Sequence, residues 1–353
     1  MLRHIPIRIL FAAFLFLLCS MIVMSISVGP MNISFSHALQ SSIERLFPTA
    51  IMPTINQLPV HVELIIQQVR LPRTLLCLFI GAILGLCGAV MQGLFRNPLA
   101  EPSIIGVSSG AALGAAFAIV CFAGLKQDYP LFMDLAAVPV FAFLGGALTT
   151  IMIYKLGTSQ FGTSVTVMLL AGVAISALSG AAIGYLNFIA DDQMLRDLSL
   201  WSMGSLAGAT WAGIGLAGVT LLGLLIFFMR QAMPLNALLL GEAEATHLGV
   251  PIQSLKRKLI LLTAAGVGVT VSLSGMIGFI GLVIPHLGRM LIGPDHRALL
   301  PFSAILGALL LTLADMFARV AVTPAELPVG IVTAIVGAPF FLYLLFSQKG
   351  RIA

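Results

Sequence analysis

Few side chains in this sequence could carry out covalent chemistry. No Gly-x4-Gly-Lys-Ser/Thr occurs, and no lysine directly follows a glycine, so the chain encodes no phosphate-binding loop of its own. No HExxH and no Ser/His/Asp set stands out. The four cysteines (Cys19, Cys77, Cys87, Cys121) form no CxxC, and the six histidines are scattered without metal spacing. No catalytic residue and no metal site is therefore assigned, and the cysteines read as small buried hydrophobes. The chemistry that remains is that of a few charged groups in an apolar chain.

Three groups of residues stand out. Arg70 and Arg73, in Arg70-Leu71-Pro72-Arg73, open one apolar run, and Arg319 closes another. Arginine makes bidentate contacts with carboxylates, so these three could receive an acidic partner. Alternatively they snorkel to lipid headgroups, and Arg319 could pair with Asp315 at i,i+4. Asp315 is the only acid within an apolar run, and such a group is costly unless paired. Next, GEAEATHLGV at 241–250 sets small residues (Ala243, Ala245) beside acids (Glu242, Glu244). It could form a short helix that docks in a partner's groove, or stay a solvated loop. Finally, Asp191, Asp192, Arg196 and Asp197 precede Trp201 and Met203 between two runs. There Arg196 could face a polar ligand, or be neutralised by Asp192 or Asp197. His286, after Pro285, reads as a packing or hinge residue rather than a metal-porphyrin ligand.

The scaffold for these groups follows from composition. Of 353 residues, 59% are hydrophobic and 9% charged, against about 25% charged in a soluble domain. Mean hydropathy is +1.09. So little charge could not cover a water-facing surface, and the bilayer is the natural solvent. Continuous apolar runs, not alternating ones, exclude a membrane β-barrel, and 35 glycines suit closely packed helices. The net charge of +5 reads as a topology signal rather than an affinity for nucleic acid.

A span needs about 20 apolar residues. Ten candidates are found: 8–28, 70–94, 105–124, 135–156, 164–187, 208–230, 258–275, 277–292, 301–320 and 328–347. The first reads as a retained helix, not a cleaved signal. The eighth is short and contains Pro285, so a break or tilt is expected there. Ser36 to Phe47 places Leu39, Ile43 and Leu46 on one face, an interfacial helix. Gly81-x3-Gly85 and Gly180-x3-Gly184 read as helix-packing motifs. With the N-terminus inside, six of the eighteen Lys and Arg residues fall outside (Arg45, Arg70, Arg73, Lys126, Arg196, Arg319) and the other twelve inside. The positive-inside rule thus puts both termini in the cytoplasm. The expected fold is an all-α polytopic membrane protein, one domain over 1–353. Residues 1–69 form the first helix plus a periplasmic segment, and 231–257 form a long cytoplasmic connection.

Six blocks carry a family resemblance. They are RLPRTLL at 70–76, GAVMQGLFRNPLAEPSIIGVSSGAALGA at 88–115, LWSMGSLAGATW at 200–211, GEAEATHLGV at 241–250, GFIGLVIPHLGRMLIGPDHRALLP at 278–301 and ELPVGIVTAIVGAPFFLYLL at 326–345. Together they resemble the FecCD family, the vitamin B12, siderophore and haem permeases of ABC importers. MQGLFRNPLAEPSIIGVSSGAA and DDQMLRDLSLWSMGSLAGATW are most similar to haem permeases. The resemblance implies type II importer architecture in a bacterial inner membrane. It further implies a homodimer with the path on its twofold axis, two cytoplasmic ATPases that bind ATP, and a periplasmic binding protein. Haem is then cargo rather than cofactor, with siderophore or cobalamin as alternatives. The family's coupling loop maps onto Gly241, Glu242, Ala243, Glu244, Ala245, His247, Leu248 and Gly249. Its docking arginines map onto Arg70, Arg73 and Arg319. On a twofold axis Arg196 would be doubled, giving one cation per haem propionate, with Trp201 or Met203 against the porphyrin. The expected mechanism is alternating access without covalent chemistry, so the chain is not itself an enzyme. An ion-coupled secondary transporter is the alternative from another class, and it would need embedded ion ligands.

Overall fold

The structure, a computed structural model, describes residues 6–29, 31, 33–46, 59–160 and 162–352. In chain order the first helices are α1 (Ile7–Ser27), α2 (Phe35–Leu46), α3 (Val60–Ile65), α4 (Leu71–Leu94) and α5 (Val107–Cys121). Then come α6 (Ala123–Asp128), α7 (Pro130–Phe132), α8 (Val138–Leu156), α9 (Val165–Ile189), α10 (Asp192–Ser202) and α11 (Trp211–Arg230). The remainder are α12 (Ala232–Leu240), α13 (Glu242–His247), α14 (Ile252–Ser274), α15 (Ile280–Ile292), α16 (His296–Val320) and α17 (Val329–Ile352). Between α8 and α9, β1 (Thr158–Ser159) and β2 (Gly162–Thr163) pair antiparallel as a small hairpin.

Ten of these helices match the ten expected spans. Seven helical stretches are long and apolar enough to cross a bilayer: α1, the continuous Val60–Leu94 run, α8, α9, α11, α14 and α16. Three shorter apolar helices, α5, α15 and Val329–Leu344 of α17, complete the set. The Val60–Leu94 run joins α3 to α4 through a π-helical turn at Ile66–Arg70. α2 supplies the expected short helix; Phe47, with the 48–58 stretch and Met1 to Ile5, lies outside the described residues.

Local chemistry explains where the helices start. Pro72 and Pro139 each follow a π-helical turn, at Ile66–Arg70 and Met133–Ala137, so the helix runs on through them with a local change of register. Ser164, Asp191, Thr210 and Asp295 cap α9, α10, α11 and α16 by accepting a backbone N–H. Two starts depart clearly from expectation: α16 begins at His296, not 301, and α14 shows the larger shift. α14 starts at Ile252, not 258, because Gln253, Lys256 and Arg257 continue the helix although hydropathy excludes them. Lys, Arg and Gln are good helix formers.

α4 is the centre of the molecule. It packs on α16, α15, α11 and α14, and 89% of its most apolar window is buried, against 22% for α1 and α9. Small residues allow the contacts to be backbone to backbone. A Cβ on Gly81 would lie 2.3 Å from the Gly307 carbonyl, and one on Gly88 would lie 2.0 Å from that of Gly281. The Gly81-x3-Gly85 motif therefore packs as expected, with Gly85 meeting Ser303. Gly180 and Gly184 do not: a Cβ at either would meet nothing within 4 Å among the described residues, and this face of α9 is exposed. The cysteine expectation also needs correction. Cys77 and Cys87 are buried, but Cys19 and Cys121 are exposed on the apolar periphery. That periphery includes Phe16, Val173, Phe188 and Val219, all more than two-thirds exposed. Such a surface belongs in lipid.

Candidate functional site

The three outer arginines converge around the N-terminal end of α4, in a buried cluster rather than on an open rim. Arg70, Arg73 and Arg319 are 5%, 5% and 3% exposed. Arg73 is the hub. Its guanidinium bonds Asp315 through Nε at 2.9 Å and Nη2 at 2.8 Å, and Glu326 through Nη1 at 2.6 Å. Arg319 Nε lies 3.0 Å from Asp315 Oδ2, the i,i+4 pair expected from sequence. Its terminal nitrogens donate to the Ser25 carbonyl at 2.9 Å and to Ser25 Oγ at 2.6 Å. Arg70 donates to the carbonyls of Ile26 (2.9 Å), Ser27 (2.7 Å) and Met31. Arg70 and Arg319 thus satisfy orphan carbonyls at the C-terminal end of α1, where cations are favoured. Asp315, fully buried, is held by two cations, so it is not free to bind a transported ion. These guanidinium groups are occupied within the chain, and of the cluster's carboxylates Glu326 is the one that reaches solvent, at 38% side-chain exposure.

The segment 231–257, expected as a loop that might hold a short helix, is helical for most of its length. Gly241, at φ +134°, ψ 158°, makes the turn between α12 and α13 that a side chain would resist. α13 buries Ala245 and leaves Glu242, Ala243, Glu244 and His247 exposed. Gly249, at φ +81°, ends it. The Val250 N–H bonds the Ala245 carbonyl and the Gly249 N–H bonds that of Thr246, a Schellman closure. Leu248 then projects, 64% exposed, and Leu240 at the end of α12 is exposed as well. An isolated six-residue helix would not hold its shape in water. Here it is anchored from below: Glu242 pairs with buried Lys256 of α14 at 2.7 Å. Asn236 of α12 ties the same region to the start of α16. Its Oδ1 accepts the His296 N–H at 2.9 Å, and its Nδ2 donates to Asp295 Oδ1 at 2.6 Å. Hydrogen bonds from Arg297 hold the Asp295 carboxyl down at about 2. The unit lies near Arg96, past the C-terminal end of α4. It is therefore one α4 length, 24 residues or about 36 Å at 1.5 Å per residue, from the arginine cluster, enough to cross the roughly 30 Å core of a bilayer.

The third group is partly assembled. Asp191 caps α10 through the Met194 N–H at 2.8 Å. Trp201 and Asp197, one helical turn apart, line a cleft of about 330 Å³ with Ser205, Thr210, Ser272 and Ser274. Arg196 and Met203 are exposed but lie outside that lining. His286 packs edge-on against Phe340 at 6.1 Å. Among the described residues no three or more His, Cys, Asp or Glu side chains group to hold a metal.

Some polar residues with structural work were not singled out from sequence. Pro285 leaves α15 unbroken but has no N–H for the Gly281 carbonyl. Gln92 of α4 donates to that carbonyl at 3.3 Å and to that of Leu282 at 3.1 Å, and Arg289 donates to Gln92 Oε1. Glu101, in the loop after α4, accepts the Phe279 N–H at the start of α15 at 3.0 Å. A proline within an apolar run signals an orphan carbonyl, but not which distant side chain will meet it.

Comparisons with known proteins fit this geometry. The FecCD transport family matches residues 14–347. The hemin transport system permease protein HmuU of Yersinia pestis is 43% identical over 342 residues, 97% of this chain and 96% of that one. The vitamin B12 import system permease protein BtuC of Klebsiella pneumoniae is 42% identical over 289 residues, 82% of this chain and 84% of that one. A solved structure, described as an inward-facing conformation of a metal-chelate type ABC transporter, superposes with a TM-score of 0.80 at 34% identity. It covers 96% of this chain and 99% of its own. A multi-pass helical chain matched by the family over residues 14–347 and alike end to end to importer permeases is a transport subunit: this chain belongs to the FecCD transport family of ABC importer permeases.

Proposed function

We propose that this permease carries haem from periplasm to cytoplasm across a bacterial inner membrane, as a homodimer driven by two separate ATPase subunits. The observation that carries the haem reading is the 43% identity to a hemin permease over 97% of the chain. The match to a vitamin B12 permease covers 82% at 42%, which keeps cobalamin as the second reading. Two copies are favoured by the open Gly180 and Gly184 face of α9, since small residues let membrane helices approach closely.

In this reading α13 and Leu248 seat in a groove of the ATPase, and closure of the ATPases moves them. A loaded binding protein docks at the opposite end, over the arginine cluster. The arginines build that platform from within; direct contact with a partner's carboxylate would require them to leave Asp315 and the α1 carbonyls. Cargo passes between the copies by alternating access, with α10 near the entrance. Arg196 meets the propionates and Trp201 the porphyrin plane. Lysine keeps the charge but loses the planar fork, so Arg196→Ala should lower haem import more than Arg196→Lys, with assembly of the complex unchanged. Wild-type haem transport by both variants would remove Arg196 from the path. Cobalamin transport in preference to haem by the unaltered protein would replace the haem reading.

A further inference from the structure

A buried lysine in this molecule joins three elements that hydropathy alone would leave independent. Lys256, in the second turn of α14, is 3% exposed. Its Nζ lies 2.7 Å and 2.8 Å from the two carboxylate oxygens of Glu242, the first residue of α13. The same Nζ donates to the Thr163 carbonyl in β2 at 3.1 Å. One turn earlier Gln253 accepts the Thr163 N–H at 2.8 Å. Gly162 admits this contact: at φ +110° a Cβ there would stand 2.5 Å from Gln253 Nε2.

β2 is thus gripped by the first turns of α14 on both the N–H and the C=O of one residue. α13 is gripped by the same turns through one carboxylate. A lysine suits the position because its compact ammonium has three donors in a tetrahedral spread, where a guanidinium would be planar. Burying an ammonium is unfavourable unless it is paired and hydrogen-bonded. Its presence here, in place of an apolar residue that would pack as well, calls for a reason beyond stability.

We infer that Lys256 transmits displacement of α13 to the β1–β2 hairpin at the inner ends of α8 and α9, so that the two move as one body. The inference rests on the reading of 241–249 as the ATPase-contacting segment. Lys256 is a positioning residue: it touches neither nucleotide nor cargo. Without it, α13 keeps its Schellman closure and its buried Ala245, and the hairpin keeps its Gln253 bond. What is lost is the tie between them.

The test uses the complete complex with its ATPase. Spin labels are placed on exposed positions through Ala243→Cys, Gln160→Cys and, as a reference at the outer end of α16, Val320→Cys. The background carries Cys19→Ser and Cys121→Ser, which removes the two exposed native thiols. Distances are compared between nucleotide-free and ATP–vanadate-trapped complexes, with Lys256 intact, with Lys256→Met and with Lys256→Arg. With Lys256 intact, 243 and 160 should both shift relative to 320 while their mutual distance holds. Lys256→Met should let 243 shift while 160 stays. It should also lower cargo moved per ATP hydrolysed about tenfold, within the span typical of coupling residues. Lys256→Arg, which keeps the charge but fans its donors in a plane, should recover only part of this. If 243 and 160 still move together in Lys256→Met, the inference is overturned while the coupling reading stands. If 243 does not move on trapping even with Lys256 intact, the coupling reading fails and the inference with it.

Discussion

Replacing Asp315 by alanine removes the carboxylate that Arg73 and Arg319 share. Asp315 is fully buried and lies 2.8 Å from Arg73 and 3.0 Å from Arg319. After the change Arg73 keeps Glu326 and Arg319 keeps the Ser25 contacts, but two buried cations lose their common counter-ion. Breaking a buried ion pair by removing one partner costs about 3–5 kcal/mol. Membrane proteins commonly unfold irreversibly, so the useful readout is a half-life at fixed temperature. At about 1.4 kcal/mol per decade, even the lower figure shortens it roughly a hundredfold if the loss appears in the unfolding rate. Asp315→Asn, which keeps an acceptor for Arg73 Nε, should fall between. The triple variant Arg73→Met, Asp315→Leu, Arg319→Met should recover much of the loss, because apolar replacement of a buried network is often near neutral. Thermal inactivation of the purified protein in detergent, followed by size-exclusion of the surviving fraction, reads the three variants against the unaltered protein. A less than fivefold change in half-life for Asp315→Ala, or a triple variant no better than the single, would refute the reasoning. One corollary is that charge reversal at Arg70, Arg73 and Arg319 together should unfold the outer end, not merely weaken docking.

Three further outcomes are expected. Gly249→Pro cannot take φ +81° and loses the N–H given to Thr246, so ATP hydrolysis should continue while cargo uptake falls; normal uptake in proteoliposomes would show that α13 is not the coupling element. Gln92→Leu strips the donors from the Gly281 and Leu282 carbonyls and should cost about 1–3 kcal/mol, measured as a lower thermal midpoint, with Pro285→Ala recovering part of it by restoring an N–H. Asp295, ordinarily at 3.8 and held here at about 2, contributes stability above about pH 4 that is lost as pH falls through about 2. Asp295→Asn should therefore lower the thermal midpoint by a constant amount between about pH 5 and 8, the gap closing only in strong acid.

Much of this architecture was legible in the chain because the bilayer leaves so few alternatives. Uninterrupted apolar runs must be helices, and ten of them were found within a few residues of their observed ends. Boundaries failed where polar helix formers extend a helix beyond its apolar core, as in the Ile252 to Arg257 start of α14. The α13 segment was recognisable because glycine bounds it on both sides and small and acidic residues fill it. The arginines were found, but their state was not. A guanidinium looks the same in sequence whether it faces water or caps the carbonyls of a helix more than forty residues away, as Arg70 does with α1. Asp315 and Arg319 were readable as a pair because i,i+4 is a local relation. Arg73, 242 positions from Asp315, has no local signature. Lys256 was counted as a charge that sets topology, and its contacts with Glu242 and Thr163 depend on packing that spacing does not encode.

The most direct test of the account is ATP-driven uptake by the permease reconstituted in proteoliposomes with its ATPase and binding protein, offered haem, a ferric siderophore and cobalamin in parallel. Haem should accumulate in the lumen and require both ATP and the binding protein, with little uptake of the other two. Haem uptake that persists without ATP, or accumulation of cobalamin or siderophore in its place, would contradict it.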